Sequence, residues 1–242
     1  MKCLILAAGY ATRLYPLTEN FPKPLLEVAG KPILDWLIED MAKTGLVDEY
    51  VVISNHKFAH IFEDWAARSS QVIRVVDDGT STNETRLGAV RDIQFAIEQL
   101  RLDDDMLVMA GDNLLDFSLA GFIRYSQEKN ATCVMRYYEA DEAKLSRSGV
   151  AQVDVDDRVL SMEEKPAHPK SHWCMPAFYY YTREDSRLIP EAIEAGCGTD
   201  APGSFIAWLC RQKPVYAWEM PGRRYDIGNL ESYEEVKRRF GI

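Results

Sequence analysis

The chain has 242 residues, 47% of them hydrophobic and 27% charged, which is enough apolar side chain for the core of one α/β domain and excludes a disordered protein. Its 28 Lys and Arg stand against 38 Asp and Glu, a formal net charge of -10; this excludes a general phosphate-backbone footprint for nucleic acid and confines any anion site to a local cluster. Five scattered cysteines with no CxxC pair read as thiols of a reducing compartment, and no apolar run approaches the ~20 residues of a membrane span, so a cytoplasmic protein with no membrane partner is expected.

Residues 2–7, 50–54, 72–77 and 106–110 are short runs rich in Val, Ile, Leu and Met, bounded by Gly, Asp or Asn, and they predict buried strands. Between them, residues 33–44, 58–68, 87–99 and 119–129 place apolar side chains at helical spacing. Strand alternating with helix predicts an α/β fold with a parallel sheet covered on both faces. After Asn130 the pattern changes: residues 131–138, 149–155, 159–163 and 173–181 read as strands separated by turns such as Asp156-Asp157, a more antiparallel second half. Helices over 185–195 and 204–211, a strand over 215–219 and a last helix over 230–240 complete the chain. Without repeat, low-complexity tract or linker, residues 1–242 read as a single domain.

The first strand runs into Leu6-Ala7-Ala8-Gly9-Tyr10-Ala11-Thr12-Arg13-Leu14, then Tyr15-Pro16-Leu17-Thr18 and Phe21-Pro22-Lys23-Pro24-Leu25. Small side chains let backbone N–H groups approach a phosphate chain, while Arg13 offers a planar fork and Lys23 a point charge. The prolines on either side of Lys23 restrict where its ammonium can reach. The loop lacks the spacing of a P-loop and the third glycine of a dinucleotide fingerprint.

Further along, Gly111-Asp112-Asn113 closes the strand over 106–110, at the edge where open α/β sheets bind ligands. Arg224-Tyr225-Asp226-Ile227-Gly228-Asn229 makes a second Asp-bearing turn before the last helix. Two carboxylates are what Mg²⁺ usually takes from protein, although each Asp alone is also ordinary turn chemistry. Thr85-Arg86-Leu87-Gly88-Ala89 leads a helix, and Glu163-Glu164-Lys165-Pro166 ends the strand-turn-strand that begins at Gly149-Val150. Asp103-Asp104-Asp105 reads as a solvated run, and the aromatic series Trp173, Phe178, Tyr179, Tyr180 and Tyr181 as strand packing. The pairs His56/His60 and His168/His172 stand outside a His-Glu-x-x-His context, so zinc is not expected.

Taken together and in order, the loop over 6–18, Pro22-Lys23-Pro24, Gly88-Ala89, Gly111-Asp112, Glu164-Lys165-Pro166 and Asp226-Ile227-Gly228 closely resemble the signature of the sugar-1-phosphate nucleotidylyltransferases, of which the glucose-1-phosphate thymidylyltransferases are the best-known branch. The resemblance implies a Rossmann-like, mixed but mainly parallel sheet with helices on both faces, of the nucleotide-diphospho-sugar transferase type. It implies a nucleotide-binding half over 1–130 and a sugar-phosphate-binding half over 131–242. Transfer of a nucleoside monophosphate from a nucleoside triphosphate to a sugar 1-phosphate on Mg²⁺ follows from it, as does a homo-oligomer.

Residue by residue, the resemblance implies that Asp112 and Asp226 are the metal ligands. Leu6, Ala7, Ala8, Gly9, Tyr10, Ala11, Thr12, Arg13, Lys23, Thr85, Gly88, Ala89 and Asp112 would line the nucleotide. Asn113, Gly149, Glu164 and Lys165 would line the sugar phosphate. Arg13 would meet the departing pyrophosphate, Lys23 the α-phosphate and Lys165 the attacking phosphate. One departure stands out: the family usually has glycine where this chain has Ala11, and a methyl there opposes positive φ. Two rival readings are a cytidylyltransferase for a phosphocholine-like acceptor and a non-catalytic nucleotide sensor.

Overall fold

A computed structural model describes residues 1–241. In chain order the principal elements begin with β1 (Lys2–Leu6), α1 (Ile33–Thr44), β2 (Glu49–Ser54), α2 (Ala59–Ala66) and β3 (Ile73–Asp77). They continue with α3 (Ala89–Leu100), β4 (Met106–Ala110), β5 (Asn113–Leu115), α4 (Ala120–Lys129), β6 (Cys133–Tyr138), β7 (Gly149–Val153) and β8 (Val159–Glu164). The remainder are β9 (Trp173–Met175), β10 (Phe178–Tyr181), α5 (Ile189–Glu194), α6 (Gly203–Leu209), β11 (Tyr216–Glu219), β12 (Arg224–Asp226) and α7 (Leu230–Phe240). They group into two compact units: residues 1–86, 110–120 and 221 onward in one, residues 87–109 and 121–220 in the other. Among the described residues no helix is long and apolar enough to cross a membrane.

In the first unit β1 pairs with β2 and β2 with β3, both parallel, which requires the crossovers that α1 and α2 supply. All six residues of β2 are buried, as in a strand covered on both faces. Helix α1 buries Ile33, Leu34, Leu37, Ile38 and Met41 as one stripe and stops at Gly45, whose φ of 67° ends the helix in the left-handed conformation. Leu14, Leu26, Val28, Ile33, Leu114, Ile227, Tyr233 and Val236 form one buried cluster. Through it the loop after β1, the segment after β4 and helix α7 are tied to a common apolar anchor.

The second unit is mainly antiparallel. Its ladder runs β8, β7, β9, β6, β10 and β4, with β11 added parallel to β6. A parallel α/β half followed by a more antiparallel half is what the residue pattern predicts. Two segments depart from expectation. The strand expected over 173–181 is broken into β9 and β10: Pro176 has no N–H to give a ladder, and its carbonyl instead accepts the N–H of Phe178 at 2.7 Å. The break lets β9 pair with β7 and β6 while β10 pairs with β6 and β4. The helix expected over 185–195 is likewise divided, a short turn over Arg183–Ser186 preceding α5, with Pro190 in the first turn of the second piece.

Phe178, Tyr179, Tyr180 and Tyr181 are all buried, as strand packing requires. Asp103 pairs with Arg183 at 2.6 Å and Arg187 at 2.5 Å, and Asp105 accepts the Tyr180 hydroxyl at 2.6 Å. The acidic run thus brackets the segment after β10.

Candidate active site

Ala7 and Ala8 leave β1 buried, Gly9 is exposed, and a Cβ on Gly9 would meet nothing within 4 Å. The loop is held from below: Asn55 donates its amide to the Ala8 carbonyl at 3.0 Å, and the Tyr10 hydroxyl donates to the Thr80 carbonyl at 3.1 Å. Residues Thr12–Leu14 form a 3₁₀ turn that buries Leu14 and exposes Arg13. Thr18 closes the loop by donating its hydroxyl to the Ala11 carbonyl at 2.8 Å.

Lys23 opens a second 3₁₀ turn, Lys23–Leu25, with Pro24 beside it. Its Nζ lies 2.5 Å from Asp112 Oδ2 and donates to the Ile227 carbonyl at 2.8 Å. Asp112 stands on the segment that leaves β4, where the N–H of Gly111 donates to the Leu6 carbonyl at 3.1 Å. Immediately after it, β5 pairs antiparallel with β12, Asn113 opposite Asp226, and the Ile227 N–H donates to the Asp112 carbonyl at 3.1 Å. A short ladder between residues more than a hundred positions apart therefore sets the two predicted metal-binding carboxylates beside each other.

Asn113 is buried and bridges this group: its Nδ2 donates to Asp112 Oδ1 at 2.7 Å, and its Oδ1 accepts from Arg224 Nη1 at 2.6 Å. Arg224 also lies 3.4 Å from Asp226 Oδ1. Desolvation raises the Asp226 carboxyl above its ordinary range, and the like charge of Asp112 raises it further, while Arg224 and Lys23 oppose. A carboxyl disfavoured as an anion in this way is one that a nearby positive ion would stabilise.

The second unit holds the other expected residues. Gly88 takes φ 92° and ψ 151° at the start of α3, and the N–H groups of Ala89 and Val90 donate to the carbonyls of Asp200 and Thr199 at 3.2 and 3.0 Å. Those first N–H groups of α3 are therefore used within the chain. Thr85, in the first unit, is exposed and closes its own turn onto the Thr82 carbonyl.

Gly149 opens β7 and Glu164 closes β8 directly opposite it. The Glu164 carboxylate lies over two glycines: a Cβ on Gly149 would approach it to 3.1 Å, and one on Gly203 would fall inside it. Lys165 follows with φ 48° and gives its N–H to the Ser148 carbonyl at 3.0 Å, so the strand ends on a left-handed residue that turns the chain.

Burial raises the Glu164 carboxyl above its ordinary range, with Lys165 and the Gly203 N–H opposing. A carboxyl with a raised pKa in the folded state binds its proton more tightly folded than unfolded; its contribution to stability is present below the ordinary range and is lost as pH rises through the raised value. Glu164→Gln is therefore expected to gain stability relative to the parent chain as pH goes from about 4 to about 7. Urea midpoints at the two pH values measure it, and a pH-independent difference between the two proteins would contradict it.

Residues 2–240 match the nucleotidyl transferase family. The chain belongs to that family. It is 28% identical over 240 residues to a UTP–glucose-1-phosphate uridylyltransferase of Haloferax volcanii, which covers 99% of this chain and 96% of that protein. It is 31% identical over 205 residues to a glucose-1-phosphate thymidylyltransferase of Streptomyces antibioticus, covering 81% of this chain and 52% of that one, so it spans about half the length of the latter. Its backbone is similar to that of a crystallised UDP-glucose pyrophosphorylase, with a TM-score of 0.85 over 99% of this chain and 97% of that one at 20% identity. The fold is that of the nucleotide-diphospho-sugar transferases, and membership makes the chain a nucleotidyltransferase.

Within this nucleotidyltransferase, Ala11 adopts φ 47° and ψ 41° despite its methyl group. The left-handed conformation that a glycine would reach freely is thus imposed on alanine, at a cost of roughly 1–2 kcal/mol. The strain is held by the burial of Leu14 and by the Thr18 bond onto the Ala11 carbonyl. Ala11→Gly should relieve it but loosens the unfolded chain by about 0.4–1 kcal/mol. The net expectation is a stabilisation of about 0.5–1 kcal/mol, read from thermal or urea unfolding; a clear loss would mean that the methyl packs favourably.

Three contributors are not legible as site residues from the sequence: Asn55, Thr80 and Arg224. Asn55 has a signal of its own, since it follows β2 as Asp112 follows β4. Arg224 precedes Asp226 by two positions, on the same face of a strand. The three residues Arg224–Asp226 are too short a run to carry a strand pattern of their own.

Proposed function

We propose that the chain transfers a nucleoside monophosphate from a nucleoside triphosphate to a sugar 1-phosphate, giving an NDP-sugar and pyrophosphate. The observation that carries this reading is the cluster of Lys23, Asp112 and Asp226 beside an exposed glycine-bearing loop. Relatives named as glucose-1-phosphate uridylyl- and thymidylyltransferases support the acceptor class.

The donor set suits Mg²⁺. Among the described residues no group of three or more His, Cys, Asp or Glu is arranged to hold a metal, and Mg²⁺ is ordinarily held by one or two carboxylates together with phosphate oxygens and water. Asp112 and Asp226 would hold the ion, which would neutralise phosphate charge when bound.

The protein's own groups do the rest. The Ala7 N–H is held by the Ile53 carbonyl at 2.9 Å, so it is the backbone N–H groups over residues 8–12 that cradle the triphosphate, and Arg13, exposed on its 3₁₀ turn, takes the charge that develops on pyrophosphate. Lys23 neutralises the α-phosphate. The motif series assigns Thr85, Gly88 and Ala89 to the nucleoside and Gly149 and Glu164 to the sugar, while Asn113, buried with its side-chain nitrogen and oxygen engaged by Asp112 and Arg224, positions those two groups. Lys165 holds the acceptor phosphate. A bond forms from the sugar-phosphate oxygen to the α-phosphorus as the bond to the β-phosphate oxygen breaks. The attacking oxygen is already ionised near neutral pH, so no general base is needed, and positioning and charge neutralisation carry the rate.

Pyrophosphate release, measured for each common nucleoside triphosphate against a panel of sugar 1-phosphates and phosphocholine, tests this. Release with a sugar 1-phosphate is expected. Release with phosphocholine alone would move the acceptor out of the sugar class, and nucleotide-dependent thermal stabilisation without any release would identify a sensor.

A further inference from the structure

We infer that Lys23 keeps divalent cations out of the Asp112/Asp226 pair until a nucleoside triphosphate arrives, so that metal and nucleotide are taken up together. The inference rests on the reading of these two carboxylates as metal ligands. In the free protein the Lys23 ammonium sits 2.5 Å from Asp112 Oδ2 and 2.8 Å from the Ile227 carbonyl, between the two segments that carry the acids. The other Asp112 oxygen already accepts the Asn113 amide at 2.7 Å. Asp226 has its own cation in Arg224, 3.4 Å away. Two carboxylates thus face two built-in positive charges, and the cluster is formally neutral before any ion enters.

Displacing the lysine is not free. Its side chain is 14% exposed and that of Asp112 28%, so the contact is partly desolvated and stronger than a surface pair. A divalent ion arriving alone would give up that contact's energy for two protein carboxylates, since among the described residues no third acidic, His or Cys ligand joins them. A triphosphate changes both sides of the exchange. Its oxygens supply the ligands the ion lacks, and its α-phosphate is an alternative anionic partner for the released ammonium. Each then favours the other, and the coupling is reciprocal.

Mn²⁺ binding, followed by electron paramagnetic resonance and water-proton relaxation, tests the idea without turnover. It is measured on the intact protein alone and with each of the four common α,β-methylene nucleoside triphosphates in turn. Lys23→Met is expected to tighten Mn²⁺ binding in the absence of nucleotide by about tenfold or more, the scale of one lost charge-assisted contact. The gain should vanish in the Lys23→Met, Asp112→Asn protein. Lys23→Gln serves as a second variant, and circular dichroism reports folding for all of them.

The unsubstituted protein gives its own test: its Mn²⁺ affinity should rise about tenfold or more when an analogue is bound. Equal nucleotide-free affinity in the parent and both Lys23 variants, with normal ternary complexes, would overturn the gating role alone. Failure of the parent to form any Mn²⁺ complex with analogue beyond that of the analogue in buffer would overturn the metal-ligand reading, and the inference with it.

Discussion

Replacing Asp112 with Asn is expected to lower kcat by at least about a hundredfold while the protein stays folded. The substitution preserves shape, and the remaining carbonyl oxygen can still accept the Asn113 amide now bound at 2.7 Å. What it removes is the charge: Lys23 loses its anionic partner at 2.5 Å, though it keeps the Ile227 carbonyl at 2.8 Å. Loss of this one partly desolvated pair should therefore cost about 1–3 kcal/mol of stability, too little to unfold the chain. In the proposed reaction that negative charge would hold the Mg²⁺ that neutralises the phosphate oxygens, and a neutral amide would hold a divalent ion far less strongly. Steady-state pyrophosphate release paired with a urea melt separates the two effects. Turnover within a few-fold of normal in a folded Asp112→Asn protein would refute the assignment of this cluster to the chemistry.

Gly88→Ala should cost stability on a larger scale, about 3 kcal/mol or more. At φ 92° and ψ 151° the residue lies in a region that is close to glycine-only, worth roughly 1–3 kcal/mol of strain for any other residue. In addition, a Cβ there would fall 2.6 Å from the Thr199 carbonyl oxygen, 2.9 Å from its carbon and 3.0 Å from the Asp200 Cα. These are backbone atoms, held in place because the Thr199 and Asp200 carbonyls accept the N–H groups of Val90 and Ala89, so no rotamer change relieves the clash and overpacking adds roughly 1–3 kcal/mol. Gly196 provides the control. Its φ is also positive, at 84°, but a Cβ on it would meet nothing within 4 Å, so Gly196→Ala should lose only about 1 kcal/mol. Similar urea midpoints for the two variants would mean that the start of α3 can shift and that its contact with residues 199–200 is not rigid.

Elements with strong local patterning were readable to the residue. Helices α1 and α7 and strand β4 occupy 33–44, 230–240 and 106–110, the very spans that periodicity predicts, because each carries its own apolar stripe or run and its own stop signals. The segment 173–181 shows the limit of that reading. Its aromatic run looks continuous, but Pro176 interrupts the ladder, and which strands the two pieces join depends on partners elsewhere in the chain. For the candidate site, Arg13, Lys23 and the small residues of the loop could be argued as a phosphate site from charge and side-chain size alone. Asp112 and Asp226 could not: each by itself is an ordinary turn residue, and their pairing followed only from the resemblance of the whole ordered set of motifs.

By itself, then, the sequence determined the α/β pattern and the family, because strand and helix periods, turn residues and an ordered motif series are written locally. Only the tertiary structure decided how the charges meet. The ladder of β5 with β12 brings Asn113 opposite Asp226, and the Ile227 carbonyl and Asp112 together catch the Lys23 ammonium. Those contacts join residues 23, 112 and 226, whose separation along the chain leaves no local signature. The same holds for Ala11: a methyl group argues against positive φ when only the neighbours in sequence are considered, yet the burial of Leu14 and the Thr18 hydrogen bond hold it there. Packing of Leu14 and a side-chain hydrogen bond can outweigh a local preference worth roughly 1–2 kcal/mol, and that is why the loop's conformation required the fold.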